Sequence, residues 1–304
     1  MSLYLIFAFV QSNIALAEIP GSFVYGGQSS QAILPAWEHT DASTLSPEGR
    51  QVEETTWREP GGGLLATWRV EHIAGKTAAE CRWVFENPGT EPTKPLTDVA
   101  ALDLVIENAS QVQLISSTGG LTGPVDGTPP GFVVSESSLE RPVSLSAGEG
   151  RSSNKNLPFW VLHNKESNEG KYMGVGWSGQ WEANFRPVSG QDAVRLTVGM
   201  PGVSIALPAG DRIVSPSVLL GDYQGTSQAG CNALRRIIGN EYVARLGGKK
   251  LLPPVSWNSW FTFNNQISDA MLRQQADAAA GLGVEYFCID AGWLTGAFDP
   301  GLGN

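Results

Sequence analysis

Asp290 is the residue best placed to do chemistry. It closes the run Gly-Val-Glu-Tyr-Phe-Cys-Ile-Asp-Ala-Gly-Trp at residues 283–293. Val284 to Ile289 is almost wholly apolar, as a parallel strand covered on both faces would be. A period of two puts Val284, Tyr286, Cys288 and Asp290 on one side, with the carboxylate at the carboxyl end of the strand. There it can accept two hydrogen bonds from neighbouring hydroxyls of one sugar, and Gly292 allows close approach to the backbone. An aspartate capping the next turn fits the same position, and spacing alone does not choose. Two tryptophans flank it. Trp260 ends an earlier aromatic-rich run, Val255 to Trp260, and Trp293 follows Asp290, so both are expected at one rim, either stacking on a pyranose face or plugging the opening.

The elements that must position these residues form a strand, a helix and a strand. Pro253-Pro254 and Asn264-Asn265 bracket the first strand. Ser268 caps a helix whose apolar positions Leu272, Ala276, Ala279 and Ala280 recur at three- and four-residue steps, and Gly281 and Gly283 stop it. The order is that of a βαβ unit, and barrel enzymes place their chemistry at the carboxyl ends of such strands.

Upstream, from Ser22 to about Leu220, short β segments alternate with Gly, Pro and Asn/Asp punctuation. Clear strands are Leu64 to His72, Glu80 to Phe85, Ala100 to Ile106, Val112 to Ile115, Phe159 to His163, Tyr172 to Trp177, Val194 to Val198 and Ser217 to Leu220. So many strands without intervening helices predict a large antiparallel β-sandwich. Pro124 to Pro130 and Gly148 to Asn156 are loop-like. The first helix is expected over Gln228 to Tyr242, with Cys231, Leu234, Ile238 and Tyr242 on one face. Trp177 and Trp181, four apart, would share a strand face and pack in a core or between domains. The fold class is thus mainly β: a large antiparallel sandwich followed by the first βαβ of a (β/α)8 barrel. The boundaries are a signal peptide over 1–17, the sandwich over 18–250 and the barrel start over 251–304. The signal peptide rests on the apolar run Leu3 to Val10 and the small-x-small Ala15-Leu16-Ala17, though no Lys or Arg precedes Arg50. It implies a secreted or periplasmic protein.

Composition narrows the function classes. In 304 residues, 41% are hydrophobic and only 16% charged, with 36 Gly, 19 Pro and 10 Trp, a turn-rich and aromatic globular chain. A net charge of -10 without a Lys/Arg run argues against nucleic acid, and no run reaches the ~18 apolar residues of a membrane span. Cys81, Cys231 and Cys288 lack any Cys-x-x-Cys pairing, and His39, His72 and His163 lie near no carboxylate pair with ligand spacing. Neither a disulfide framework nor a metal site is expected.

Asn258-Ser259-Trp260, the helix, and Leu282 through Asp290-Ala291-Gly292-Trp293 resemble the opening βαβ of glycoside hydrolase family 36, the melibiase-type α-galactosidases. Gly176-Trp177-Ser178-Gly179-Gln180-Trp181 and the Leu-Leu-Gly-Asp-Tyr run at Leu219 are similar to that family's N-terminal domain. The resemblance covers nearly all of the chain after its first residues, with one departure: Ala291 stands where the family usually has a second aspartate. It implies that the whole enzyme is a retaining α-galactosidase acting on terminal α-galactosides of oligosaccharides or polysaccharides, without metal or cofactor. It also implies substrate contact for Asp290 and Trp260, with Trp293 open between contact and plug. Retaining glycosidases use two carboxyl groups about 5 Å apart. In the family these are aspartates of the fourth and sixth barrel strands, so no residue here is assigned as catalytic, Asp299 included, and the chain alone is expected to be inactive. A related α-glycosidase, acting on N-acetylgalactosaminides or another α-hexoside, stays open, as does a non-catalytic carbohydrate-binding sandwich. The sequence is compatible with a homo-oligomer.

Overall fold

The computed structural model describes residues 21–73, 75–120 and 131–293. The signal-peptide expectation, the Pro124–Pro130 loop and Asp299 lie outside the described residues. The chain divides into two compact units, one ending at Ile238 and the next beginning at Gly239. That is ahead of the boundary near residue 250 expected from sequence.

The first unit is built on two large antiparallel sheets. One has ten strands, in spatial order Glu38–Leu45, Gln51–Arg58, Leu65–His72, Ala78–Glu86, Ser217–Gln224, Glu169–Gly176, Phe159–Asn164, Val112–Ser117 and Val134–Ser138, with Arg212–Val214 also pairing on Ala78–Glu86. The other has seven: Val143–Ser146, Glu182–Pro187, Ala193–Gly199, Leu96–Glu107, Ser22–Tyr25 and Gln28–Ser29, with Ser204–Ile205 pairing on Leu96–Glu107. Residues of both sheets share one core. Phe23, Leu104, Phe185 and Leu196 from the smaller sheet meet Trp83, Phe85, Trp160 and Met173 from the larger. The fold is the antiparallel β-sandwich that the strand-rich pattern implies.

Every strand expected from sequence is present, most of them longer than expected. The strand at Ala100 runs from Leu96 to Glu107, and that at Ser217 runs on to Gln224. Glu38–Leu45 went unrecognised because all eight of its residues are exposed, so no inward-facing face repeats at every second position. Trp181 is fully buried and donates its indole N–H to the carbonyl of Ser152 at 2.7 Å, so its one polar atom is paired inside the core. Trp177 is 36% exposed, because it lies in the turn beyond the strand Glu169–Gly176 and not on a buried face.

The helix Ser227–Ile237, continued by a π-turn over Ile238–Tyr242, packs on the outer face of the larger sheet. Leu234 and Ile237 meet Val161, Tyr172, Leu219 and Tyr223 there, in a second cluster separate from the sandwich core. Two glycines make room for the aromatic rings of this layer. A Cβ on Gly221 would sit 2.1 Å from the Tyr172 ring, and one on Gly230 would sit 2.5 Å from that of Tyr223. Gly221→Ala should therefore destabilise the sandwich by about 1–3 kcal/mol, the range for overpacking. An unchanged denaturation midpoint would contradict this packing.

His163 lies in the same layer, buried, with Nδ1 2.9 Å from the Tyr223 hydroxyl. Burial pushes its pKa below the ordinary histidine value, against a weaker upward pull from Glu136. The folded state thus prefers neutral imidazole, while the unfolded chain takes up a proton below roughly pH 6.5. The contribution is complete above that pH and is lost as pH falls. His163→Gln should flatten the fall in Tm between about pH 7 and about pH 5 relative to the parent chain. Equal slopes would show that His163 does not carry the effect.

Candidate functional site

The second unit holds the sequence-predicted site. Ser256–Asn258 and Tyr286–Cys288 pair in parallel, with Ser256 opposite Tyr286, Trp257 opposite Phe287 and Asn258 opposite Cys288. The helix Asp269–Gly281 connects them, capped by the Ser268 hydroxyl, which accepts from the Met271 N–H at 3.4 Å. Gly283, at φ 79°, turns the chain into the second strand. Trp257 and Phe287 stack on one face, with ring centroids 4.4 Å apart and planes 14° apart.

At the carboxyl ends of both strands the side chains converge. Asn258 Nδ2 donates to Asp290 Oδ2 at 2.8 Å, and the Ala291 N–H donates to Asp290 Oδ1 at 2.7 Å. The Asp290 N–H in turn donates to Ser259 Oγ at 2.9 Å, and Ser259 is fully buried. Asn258 Oδ1 accepts the Trp260 N–H at 2.8 Å, so this one amide ties the two strand ends together. Each Asp290 oxygen carries one protein donor, which leaves lone pairs on both oxygens for outside partners. The Asn258 amide, and then the Ala291 N–H, hold the Asp290 carboxyl below the usual carboxylate range.

The second strand, Tyr286–Cys288, is shorter than the expected Val284 to Ile289, so Asp290 lies two residues past its end, and it caps its own turn through Ala291. The two readings left open by spacing are therefore both compatible with one carboxylate. Trp260 departs from expectation. The first strand stops at Asn258, and Trp260 opens a short helical turn, Trp260–Phe263, because the Asn258 side chain captures its N–H and Ser259 takes helical backbone angles. Trp293 is 63% exposed at the end of the described chain. Gly292 serves the fold itself. At φ 108°, its Cβ would lie 2.7 Å from Asn265 Cα, so the close approach comes from the protein's own backbone.

Asn258 and Ser259 belong to the motif but were not singled out as site residues. The available signal was the parallel register, which sets Asn258 beside the strand that precedes Asp290. Among the described residues no three His, Cys, Asp or Glu side chains gather as a metal site. The three cysteines are free thiols, with Cys288 exposed and 3.7 Å from Asn258 Nδ2.

The described chain is thus a β-sandwich followed in sequence by a parallel strand–helix–strand unit with a carboxylate just past its second strand. No protein-family model matches the sequence, and no curated protein does. Solved structures do. The GH36 α-galactosidase AgaA from Geobacillus stearothermophilus superposes with a TM-score of 0.73 at 16% identity, over 92% of this chain and 40% of that one. The galactosidase domain of the α-galactosidase-sucrose kinase AgaSK gives 0.70 at 17%, over 91% and 40%. The α-galactosidase from Lactobacillus brevis gives 0.69 at 16%, over 91% and 38%. The chain has the fold of the N-terminal part of family-36 α-galactosidases. It spans about 40% of the length of the structures it matches.

Replacing Asn258 with Ala removes one of the two donors to Asp290. The Asp290 pKa, followed by carboxyl carbon NMR, should then rise toward the ordinary value of about 3.9. A carboxyl that titrates as before would show that Asn258 does not hold it ionised.

Proposed function

We propose that this chain is the N-terminal β-sandwich and the opening of the catalytic (β/α)8 barrel of a retaining α-galactosidase, in which Asp290 grips hydroxyls of the terminal galactose. The observation that carries the proposal is the Asn258–Asp290–Ala291 arrangement at the carboxyl end of a parallel strand pair, the position from which barrel enzymes contact substrate. Support comes from the fold shared with family-36 α-galactosidases, one of which, AgaA, has been crystallised as substituted variants with stachyose and with raffinose. In this reading Trp260 and Trp293 flank the sugar, no residue of this chain is the nucleophile or the acid/base, and no metal or cofactor takes part. The leader-like run at Leu3 to Val10 supports secretion.

Ala291 favours a second reading, a related α-glycosidase of relaxed sugar preference. It supplies only its backbone N–H, and that is spent on Asp290. One carboxylate then does the work that paired aspartates share in the resembled family, and losing a charge-assisted hydrogen bond to a sugar hydroxyl weakens discrimination roughly tenfold or more.

In the complete enzyme, Asp290→Asn should lower kcat/KM on a nitrophenyl α-galactoside at least about tenfold, since no second carboxylate covers for it. Ala291→Asp should raise the preference for the α-galactoside over the α-glucoside. Unchanged kcat/KM in Asp290→Asn would remove Asp290 from the site.

A further inference from the structure

The outer face of the seven-stranded sheet carries a groove of about 360 Å³, within the range of small-molecule sites. It is lined only by residues of the first unit and shares none with the Asp290 site. Its shape follows from the register. Glu182 pairs with Gly199, which pairs with Ala100, which pairs with Ser22, so two residues with little or no side chain lie between taller neighbours. A register shift between Val198 and Gly199 makes glycine obligatory there, because a Cβ on Gly199 would lie 2.2 Å from the Val99 carbonyl oxygen. Glu182, Asn184 and Arg186 alternate outward along one wall, with Ala183 and Phe185 turned into the core. Their polar groups therefore follow one another at roughly 7 Å.

The charges in the groove decide what fits it. Arg195 closes on Asp103 through two hydrogen bonds of 2.7 and 2.6 Å, and this pair is spent within the protein. Arg186, Asn184 and Glu182 have no side-chain partner among the described residues. They leave a cation, an amide and a carboxylate along one strand, and Asp98 and the apolar Val24, Met200 and Pro201 also line the groove. An anionic ligand would meet Glu182 and Asp98, and a cationic one would meet Arg186. A neutral ligand whose every oxygen both donates and accepts satisfies all of them, while its C–H faces lie on the apolar patches.

We propose that this groove binds a neutral oligosaccharide segment, independently of the sugar contact proposed for Asp290. The 304-residue chain would be titrated with raffinose, with maltotriose and separately with sodium sulfate, following backbone amide shifts by NMR. Either sugar should shift the amides of Asn184, Thr197 and Gly199 saturably, with a Kd in the millimolar range. Arg186→Ala and Asn184→Ala should each weaken that binding about tenfold, the loss of a hydrogen bond to a ligand hydroxyl. Asp290→Asn should leave these shifts unchanged, and Arg186→Gln, which keeps an N–H donor, should recover part of the affinity. Four outcomes overturn the proposal: no saturable shift with either sugar, sulfate displacing the sugar at the same amides, loss of the shifts in Asp290→Asn alone, or groove variants that change the sedimenting mass and not the sugar affinity.

Discussion

The strands Phe159–Asn164, Glu169–Gly176 and Ser217–Gln224 must be covered on both faces, and the rest of the first unit answers that constraint. Alternate residues point opposite ways. Trp160, Leu162, Met173, Val175, Val218 and Leu220 enter the sandwich core. Val161, Tyr172, Leu219 and Tyr223 point outward and would form a large apolar patch in water. The helix Ser227–Ile237 removes that patch from solvent through Leu234 and Ile237. The same alternation puts Lys171 and Asp222, which lie opposite each other, on the inner side of the sheet. There Lys171 is buried, so the Asp222 carboxylate beside it is what makes burial of its charge tolerable.

The smaller sheet needs no such cover. Its inner residues Ala183, Phe185, Val194, Leu196 and Val198 fill the core, while its outer residues Glu182, Asn184, Arg186, Arg195 and Thr197 are polar. This one-sided pattern is common for antiparallel sheets. It leaves the groove open because the outer polar side chains, apart from the Asp103–Arg195 pair, are not consumed by one another.

Much of the fold was legible because its strands alternate between buried and exposed residues and are cut by Gly and Pro. Leu65–His72, with buried Ala66, Trp68 and Val70, shows the signal at its clearest. Glu38–Leu45 carries no such signal, since all its residues are exposed and its pairing with Gln51–Arg58 rests on the backbone ladder and on surface contacts such as that of Thr55 with Asp41. At the candidate site, the run of apolar residues up to Ile289 indicated that Asp290 follows a strand, although the strand itself ends at Cys288. The turn at Trp260 was not indicated, because it depends on the Asn258 side chain competing for a backbone N–H, a local choice that strand propensity does not record.

The second unit raises a physical question that the first does not. Among its described residues only Ser259 and Ala279 are buried, while Val255, Phe261, Leu282, Tyr286, Ile289 and Trp293 are exposed. Ordering each backbone residue costs about 1–2 kcal/mol, and two small buried side chains do not offset that over the described length. The ordered core of the unit is polar instead: the Ser259 hydroxyl, the Asn258 amide and the Asp290 carboxylate fix the ends of two strands through directed hydrogen bonds. Such a network sets geometry well and adds little net stability. Stable folding of these strands therefore depends on further structure covering their apolar side chains, which is what neighbouring strands and helices of a barrel would do. Under the proposed function, the carboxylate that meets the sugar is thus oriented by its own strand pair and made rigid only when that surface is covered.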